Sequence, residues 1–517
     1  MSVYIPLFVI GVYLLLLTIL GLASKRFFRG TSTDYFVASR SIGPFMLLMS
    51  VFGTTMTAFA LVGSSGKAYT TGIGVYGLMA SWSGLIHSAC FFLVGIRLWA
   101  FGKRYGYVTQ CQFFRERFES PGLGYLLFPI LVILIIPYLL IGLLGAGAVI
   151  KGLTGPRGPH PGMFPEFFEA SNGAVPPWIT ALIVSAVVLV YVFAGGVRST
   201  AWANTFQTIV FMITGLIAFV LIAKALGGLG TAGQLVEANQ PQRLARTGQI
   251  GQLQFFTYCL IPLSVGMFPH LFQHWLTARS AQTFRLTVIF HPICIFVVWV
   301  PCVLIGVWAT GKGITASSPN AILAKSVAVL IKDPVVTGVL MAGILAAIMS
   351  SLDSQFMCMS TMFTNDIVVH TFSRNQFTDK QLLWIGRIFV ILIVLATYLL
   401  TLVPWRINIF DLGIWCFSGF AALFPIALAA VYWKRATKAG AIASLALTVI
   451  VWAGLLSYDL AYVKTNPDHA GEEFLIAGMM PVTVIFATCL VSLVLVSLLT
   501  SPPSSRTIHK FFPINSD

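Results

Sequence analysis

The chain has 517 residues, of which 57% are hydrophobic and only 9% charged, with a mean hydropathy of +0.90. That composition excludes an ordinary soluble enzyme and defines a polytopic membrane protein. The formal net charge of +15 does not indicate nucleic acid, because Lys and Arg stand singly or in short clusters between apolar runs, where they set membrane topology.

A helix needs about 20 apolar residues to cross a bilayer core. Thirteen such spans are predicted, near 3–24, 42–66, 74–98, 124–150, 176–197, 203–226, 254–276, 286–309, 334–364, 380–402, 408–431, 437–457 and 477–499. No basic stretch precedes the first span, and Lys25, Arg26 and Arg29 follow it. This predicts a retained helix with its N-terminus outside rather than a cleaved signal. Odd parity then places the C-terminus in the cytoplasm of a plasma (inner) membrane protein. Of the 31 Lys and Arg residues, 20 fall at the ends assigned to the cytoplasm and 11 at the opposite ends, the bias expected for that orientation. Lys103, Arg104, Arg115 and Arg117 form its strongest cluster.

The largest external loops are 151–175, 227–253, 310–333 and 458–476, the first rich in Gly and Pro, including Pro156, Pro159 and Pro161. None is large enough for a separate soluble domain. No GKS or GKT phosphate loop occurs, so nothing argues for an ATP-driven pump. Most of the eight cysteines lie inside apolar runs and none forms a CxxC pair, which indicates neither a zinc site nor a disulfide framework.

Two spans are interrupted. The second contains Gly53-Thr54-Thr55-Met56-Thr57 and then Gly63-Ser64-Ser65-Gly66; the seventh contains Pro262, Gly266 and Pro269. Each opens a block of five spans, and an odd-numbered block inserts its second copy upside down. Paired interruptions of this kind point to an inverted-repeat transporter with its site at mid-membrane. Glycine-rich packing and proline kinks are the plainer explanation of the same residues. The expected organisation is an accessory first helix (1–30), repeat one (40–230), repeat two (250–432), and two accessory helices with a short tail (433–517).

The ninth span carries Ser350, Ser351, Asp353 and Ser354 near its middle. At 100° per residue Ala347, Ser350, Ser351 and Ser354 share one arc, with Asp353 on its flank. Gly343, Ala346 and Ala347 allow another backbone to approach closely. Hydroxyls and a carboxylate at that depth must face protein, water or an ion. Spacing leaves two readings open: an oxygen-lined cation site, or hydrogen bonding between helices.

Three stretches resemble the sodium:solute symporter family. Ala346-Ala347-Ile348-Met349-Ser350-Ser351-Leu352-Asp353-Ser354-Gln355 is similar to its AAxMSSxxSQ helix. Tyr191-Val192-Phe193-Ala194-Gly195-Gly196-Val197-Arg198, with Trp202 and Gln207, is similar to its YxxxGGxRxxxWxDxxQ signature. Gly53, Met56 and Gly63 in the broken second span have the family spacing. The resemblance implies an all-α LeuT-type core with accessory helices. It also implies sodium as the coupling ion, held by the carbonyls of Gly53, Met56 and Ala347 and the hydroxyls of Ser350 and Ser351. Hard cations prefer such oxygens. One departure is Asn204, where the family often has an acidic residue. An amide offers no charge to a second cation, so a second coupled ion is not expected.

By the same resemblance the solute lies beside the ion. Its candidate contacts are Thr57, Phe59, Tyr138 and the segment from Ser264 to His270. An aromatic face and a phenol tip suit a gate over a small solute, although each side chain could equally be plain packing. The third span offers Ser81, Trp82, Ser83 and His87 but no Glu or Asn, which argues against a sugar cage. His270 and His274 have the spacing of a metal or proton pair, yet no third ligand is near in sequence, and they are expected at the cytoplasmic interface. Asp411 is expected as a solvated partner of Arg406, with Trp405 and Trp433 as interfacial anchors. Asp353 is expected to line the cytoplasmic exit or to cap a local hydrogen-bond network.

The sequence therefore predicts a sodium-coupled symporter of a small organic solute of the amino acid, pantothenate or monocarboxylate type. It is expected to work in the lipid bilayer by alternating access, with no nucleic acid and no required protein partner. The alternatives are a proton-coupled carrier of the same fold, using Asp353 or His270, and a solute-sensing membrane receptor. A membrane enzyme would need an interfacial cluster of Asp, His or Glu, which the sequence lacks.

Overall fold

The computed structural model describes residues 2–23, 32–156, 160–246, 249–405, 408–466 and 472–512. Lys25, Arg26, Arg29, Pro159, Arg406 and the last five residues lie outside them. Among the described residues ten helices are long and apolar enough to cross a membrane, and two bent pairs raise the number to twelve. In chain order these spans, together with the shorter apolar helix α5, are α1 (Ile5–Ala23), α2a (Pro44–Thr55) with α2b (Phe59–Thr71), α3 (Gly74–Tyr105), α4 (Pro121–Thr154), α5 (Pro177–Phe193), α6 (Gly196–Ala225), α7a (Gln252–Gly266) with α7b (Pro269–Thr277), α8 (Ala281–Gly311), α9 (Pro334–Phe372), α10 (Asp379–Thr401), α11 (Ile409–Tyr432), α12 (Lys438–Thr465) and α13 (Val482–Leu499). The shorter apolar helix α5 occupies the thirteenth expected range.

The bends fall where the sequence is interrupted. α2a and α2b meet at 57° and α7a and α7b at 51°. In α2 the chain turns extended at Met56 (φ −88, ψ 94) and restarts in a π-helical turn over Phe59–Gly63, a wider turn that often marks functional sites. In α7, Pro262 sits within tight 3-10 turns and Pro269 opens α7b, where its missing N–H is no loss. Other spans begin on side-chain caps. Asp333 accepts from the amides of Val335 and Val336 ahead of α9, and Thr378 with Gln381 caps α10.

Polar bonds tie together span ends of like parity and so define two faces. At the N-terminal face Tyr4 reaches the carbonyl of Met163, and Gln254 donates to Glu473 at 2.8 Å. At the opposite face Arg40 donates to the carbonyl of Tyr107 at 2.7 Å, and Arg115 pairs with Asp366 at 2.9 Å. Burial separates core from periphery. Of the apolar windows of α11 and α9, 94% and 83% are buried, against 28% in α1 and 33% in α12 and α13. The polar ninth span is thus a central post, packed chiefly against α5 and α6. The expected close approach occurs at Gly343, where any Cβ would collide with the Thr214 side chain of α6.

Gly196 makes the α5–α6 corner. Its φ of 59° and ψ of −150° suit only glycine, and a Cβ there would come within 2.5 Å of the Tyr35 carbonyl oxygen. Gly196→Ala is expected to cost about 1–3 kcal/mol from backbone strain alone. A lowered melting temperature of the purified protein in detergent would register this, and an unchanged one would refute it.

Candidate cation and solute site

Where α2a ends, its carbonyls lose their usual donors. Among the described residues no amide bond runs from Thr57 to the Gly53 carbonyl. A side chain from α9 takes that place: Ser350 Oγ donates to the Gly53 carbonyl oxygen at 2.7 Å and lies 2.9 Å from the Ala347 carbonyl oxygen. Gly53, Ala347 and Ser350 therefore meet, all completely buried or nearly so. Ser351 is buried beside them, and its hydroxyl donates within its own helix to Ile348 at 2.9 Å. Met56 is the residue at which the backbone turns away. The close approach needs glycine on α2a, because a Cβ at Gly53 would strike the hydroxyl of Thr208, which itself donates to the Met49 carbonyl. A hydroxyl that turns its proton aside leaves a lone pair facing these carbonyls. This donor set of hard, neutral oxygens fits an alkali cation.

One turn further along α9 lies a second polar cluster. Ser354 Oγ accepts from the Asn204 amide at 2.7 Å and lies 3.0 Å from His274 Nε2. The other ring nitrogen of His274 is 2.8 Å from Ser50 Oγ. Asp353, fully buried, accepts from Tyr191 at 3.2 Å and from Ser354 at 3.3 Å. His274 thus joins α2a to α9 inside the bundle rather than lying at the expected interface. His270 is equally buried but stacks on Phe268, 5.1 Å between ring centres, and both its nitrogens lack partners among the described residues.

Phe59, Tyr138 and Ser264 line one cavity of about 30 Å³, with Met56 from the helix break in its wall. Thr57 stands next to it, where its hydroxyl accepts from the Phe59 amide at 3.1 Å and adjoins the Tyr138 phenol. The sequence singled out Ser83 and His87 only for what their span lacks, yet both line this cavity. Tyr258, Trp299 and Phe417 complete it and carried no sequence signal beyond aromatic residues in apolar runs. Trp299 Nε1 and His87 Nδ1 are buried donors or acceptors without partners among the described residues. The volume holds roughly one or two waters. Phe59 packs edge-on to Phe417 at 4.8 Å and stacks on Phe410 at 5.0 Å.

Asp411 differs from its expected place. It is 6% exposed and lies 3.5 Å from Lys67 Nζ, which is also 3.0 Å from Glu473. Lys67 further lies over the Phe410 ring at 5.2 Å. The solvated pair is instead a buried triad linking α2b, α11 and the loop before α13. Nothing in local sequence marked it, because its members are 62 or more positions apart.

Broken helices and freed carbonyls beside a central aromatic pocket are the features of membrane carriers built on discontinuous spans. The chain belongs to the sodium:solute symporter family, which it matches over residues 35–157 and 172–448. It is 26% identical over 507 residues to the high-affinity proline transporter PutP of Bacillus subtilis, covering 93% of this chain and 95% of that one. It is 27% identical over 448 residues to the sodium/proline symporter of Escherichia coli, covering 81% and 82%. Its fold is similar to that of a sodium-coupled sialic acid symporter, with a TM-score of 0.73 at 15% identity over 97% of this chain and 99% of the other. The fold of the nucleobase-cation-symport transporter MHP1 is also similar, with a TM-score of 0.54 at 13% identity over 92% and 97%. The protein is accordingly a multi-pass LeuT-type transporter with sodium as its coupling ion, not an enzyme.

Proposed function

We propose that the chain carries a compact amino-acid-type solute, such as proline, into the cell together with sodium. The observation that carries this reading is the 2.7 Å bond from Ser350 to the Gly53 carbonyl, beside a pocket walled by aromatic rings. In this assignment the ion sits among the Gly53, Met56 and Ala347 carbonyls and the Ser350 and Ser351 hydroxyls. Thr57, Phe59, Tyr138 and Ser264 contact the solute. Freed carbonyls near Met56 can accept from a secondary ammonium, while the unpartnered Trp299 and His87 nitrogens can meet a carboxylate. The rings bury the apolar body. The relatives named above as proline carriers support the same solute class.

The mechanism is alternating access between two inverted five-span repeats, 40–230 and 250–432. Sodium draws the α2 break against α9, solute binds, the path past Phe59 closes, and both leave at the opposite face. With the N-terminal face outside and the C-terminus in the cytoplasm of the plasma membrane, the membrane potential drives the ion inward. At about 150 mV with a tenfold gradient, one sodium supplies about 5 kcal/mol. That is enough to concentrate a solute roughly a thousandfold.

The test is uptake into proteoliposomes of labelled L-proline, pantothenate, monocarboxylates, other amino acids and sugars, with an inward sodium gradient and without one. Sodium-stimulated proline uptake supports the proposal; stimulation of another solute alone removes proline. Asp353→Asn separates the proton-coupled rival. Sodium-stimulated uptake is expected to persist with slower turnover, because Asp353 bonds Tyr191 and Ser354 rather than the Ser350 hydroxyl. Loss of all coupling in that variant would favour a proton carrier. Binding without uptake would favour a receptor.

A further inference from the structure

α1 carries Leu7, Ile10, Gly11 and Leu14 at i, i+3, i+4 and i+7, the spacing of one helix face. α5 carries Ile179, Thr180, Ile183 and Val184 on one of its own faces. Both faces line a cleft of about 550 Å³, which runs inward to Ile150 of α4 and Leu345 of α9. α1 packs tightly on either side of this stretch. A Cβ at Gly338 of α9 would lie 2.7 Å from Val9 Cβ, and one at Gly21 of α1 would strike the Tyr191 side chain of α5. Between these contacts Gly11 interrupts the bulky stripe, and a Cβ added there meets nothing within 4 Å. The missing side chain leaves room in the cleft.

Depth in the membrane limits what can fill it. Leu345 stands eleven residues after Pro334, the first of α9, or about 16 Å along the helix. The hydrocarbon core is about 30 Å thick, so the cleft spans one leaflet, that of the N-terminal face. Phe164, Phe167 and Phe168 of the loop before α5 line its end at that face, where the Tyr4 ring lies 5.4 Å from that of Phe164. The inner wall is sealed, with Ile10, Val184 and Leu345 buried, whereas Ile183 and Phe167 are exposed. Thr180 is the single polar side chain lining the cleft among the described residues. A water needs two to four polar partners, so water does not fill this space. Left unfilled, its walls forfeit their dispersion contacts. The medium at that depth supplies acyl chains.

We propose that this cleft is a binding site for one acyl chain of a phospholipid from the leaflet at the N-terminal face. The chain lies between α1 and α5 and ends against Leu345, and its headgroup stays at the membrane surface beyond the three phenylalanines. Lipid tails are as apolar as leucine, so leaving the bulk bilayer brings the chain no hydrophobic gain. What holds it is the packing that the empty cleft lacks. The accessory helix α1 is thus seated through a lipid where Gly11 offers no side chain. The ion and solute sites share no residue with this cleft, and the inference rests neither on the solute nor on the direction of transport.

The test is native mass spectrometry of the full-length protein released from nanodiscs of palmitoyl-oleoyl phosphatidylcholine. The wild-type protein is expected to keep one phospholipid under collisional activation that strips the rest. Gly11→Trp puts a ring into the cleft where the backbone has space for it, and should lower the lipid-bound fraction by about tenfold or more. Ile183→Trp enters the same space from α5 and decides the matter should Gly11→Trp fail to fold. Leu392→Trp, on the lipid-facing side of α10 and outside the cleft, adds the same ring elsewhere and is expected to leave the fraction within about twofold. A lipid-bound fraction unchanged in the folded cleft variant, or lowered as much by Leu392→Trp, overturns the site. So does a wild-type protein that sheds every lipid. A dimer that the cleft variants break, found in place of the lipid adduct, also overturns it and assigns the cleft to a second copy of the chain.

Discussion

Ser350→Ala is expected to raise the sodium concentration for half-maximal uptake at least tenfold, a loss of about 1.4 kcal/mol of ion binding. The hydroxyl is the group by which α9 reaches the Gly53 carbonyl, at 2.7 Å. Alanine removes one of the five proposed oxygen ligands in a site where every member is neutral, so no remaining charge can compensate. The ion-free protein loses a hydrogen bond as well, which offsets part of the change. Charge–dipole attraction at low dielectric exceeds dipole–dipole attraction, however, and the ion-bound form loses more. Ser351→Ala is expected to shift sodium dependence in the same direction by less, because its hydroxyl bonds Ile348 on its own helix. Sodium titration of proline uptake measures both. An unchanged half-saturation in the two variants would remove these hydroxyls from the ion site.

Lys67→Met carries the second large effect, on stability. The ammonium holds Asp411 at 3.5 Å and Glu473 at 3.0 Å, and the three side chains are 7–9% exposed. Removing it leaves two buried carboxylates without their cation, at a cost of about 3–5 kcal/mol. Adding Asp411→Asn and Glu473→Gln to Lys67→Met removes the stranded charges and should recover most of the lost melting temperature. A triple variant no more stable than Lys67→Met would show that the triad's charges do not govern this joint between α2b, α11 and the loop before α13.

Residue pattern alone determined the membrane class and the two interrupted spans. Hydrocarbon admits only long apolar helices, and Gly53 or Pro262 disturbs a helix wherever it is packed. It also selected the face of α9 that bears Ser350, since helical periodicity is a local property. Which partner that face would meet was left open between an ion site and plain interhelical bonding, and the family resemblance narrowed the choice. Only the tertiary structure decided that Ser350 reaches the Gly53 carbonyl, that His274 bridges Ser50 and Ser354, that Phe417 packs on Phe59 and that Trp299 lines the same cavity. It also turned Asp411 from an expected surface residue into a buried partner of Lys67 and Glu473. The physical reason is common to all of these. Composition and spacing report what each helix must hide, but burial and pairing between residues hundreds of positions apart depend on which helix end arrives beside which.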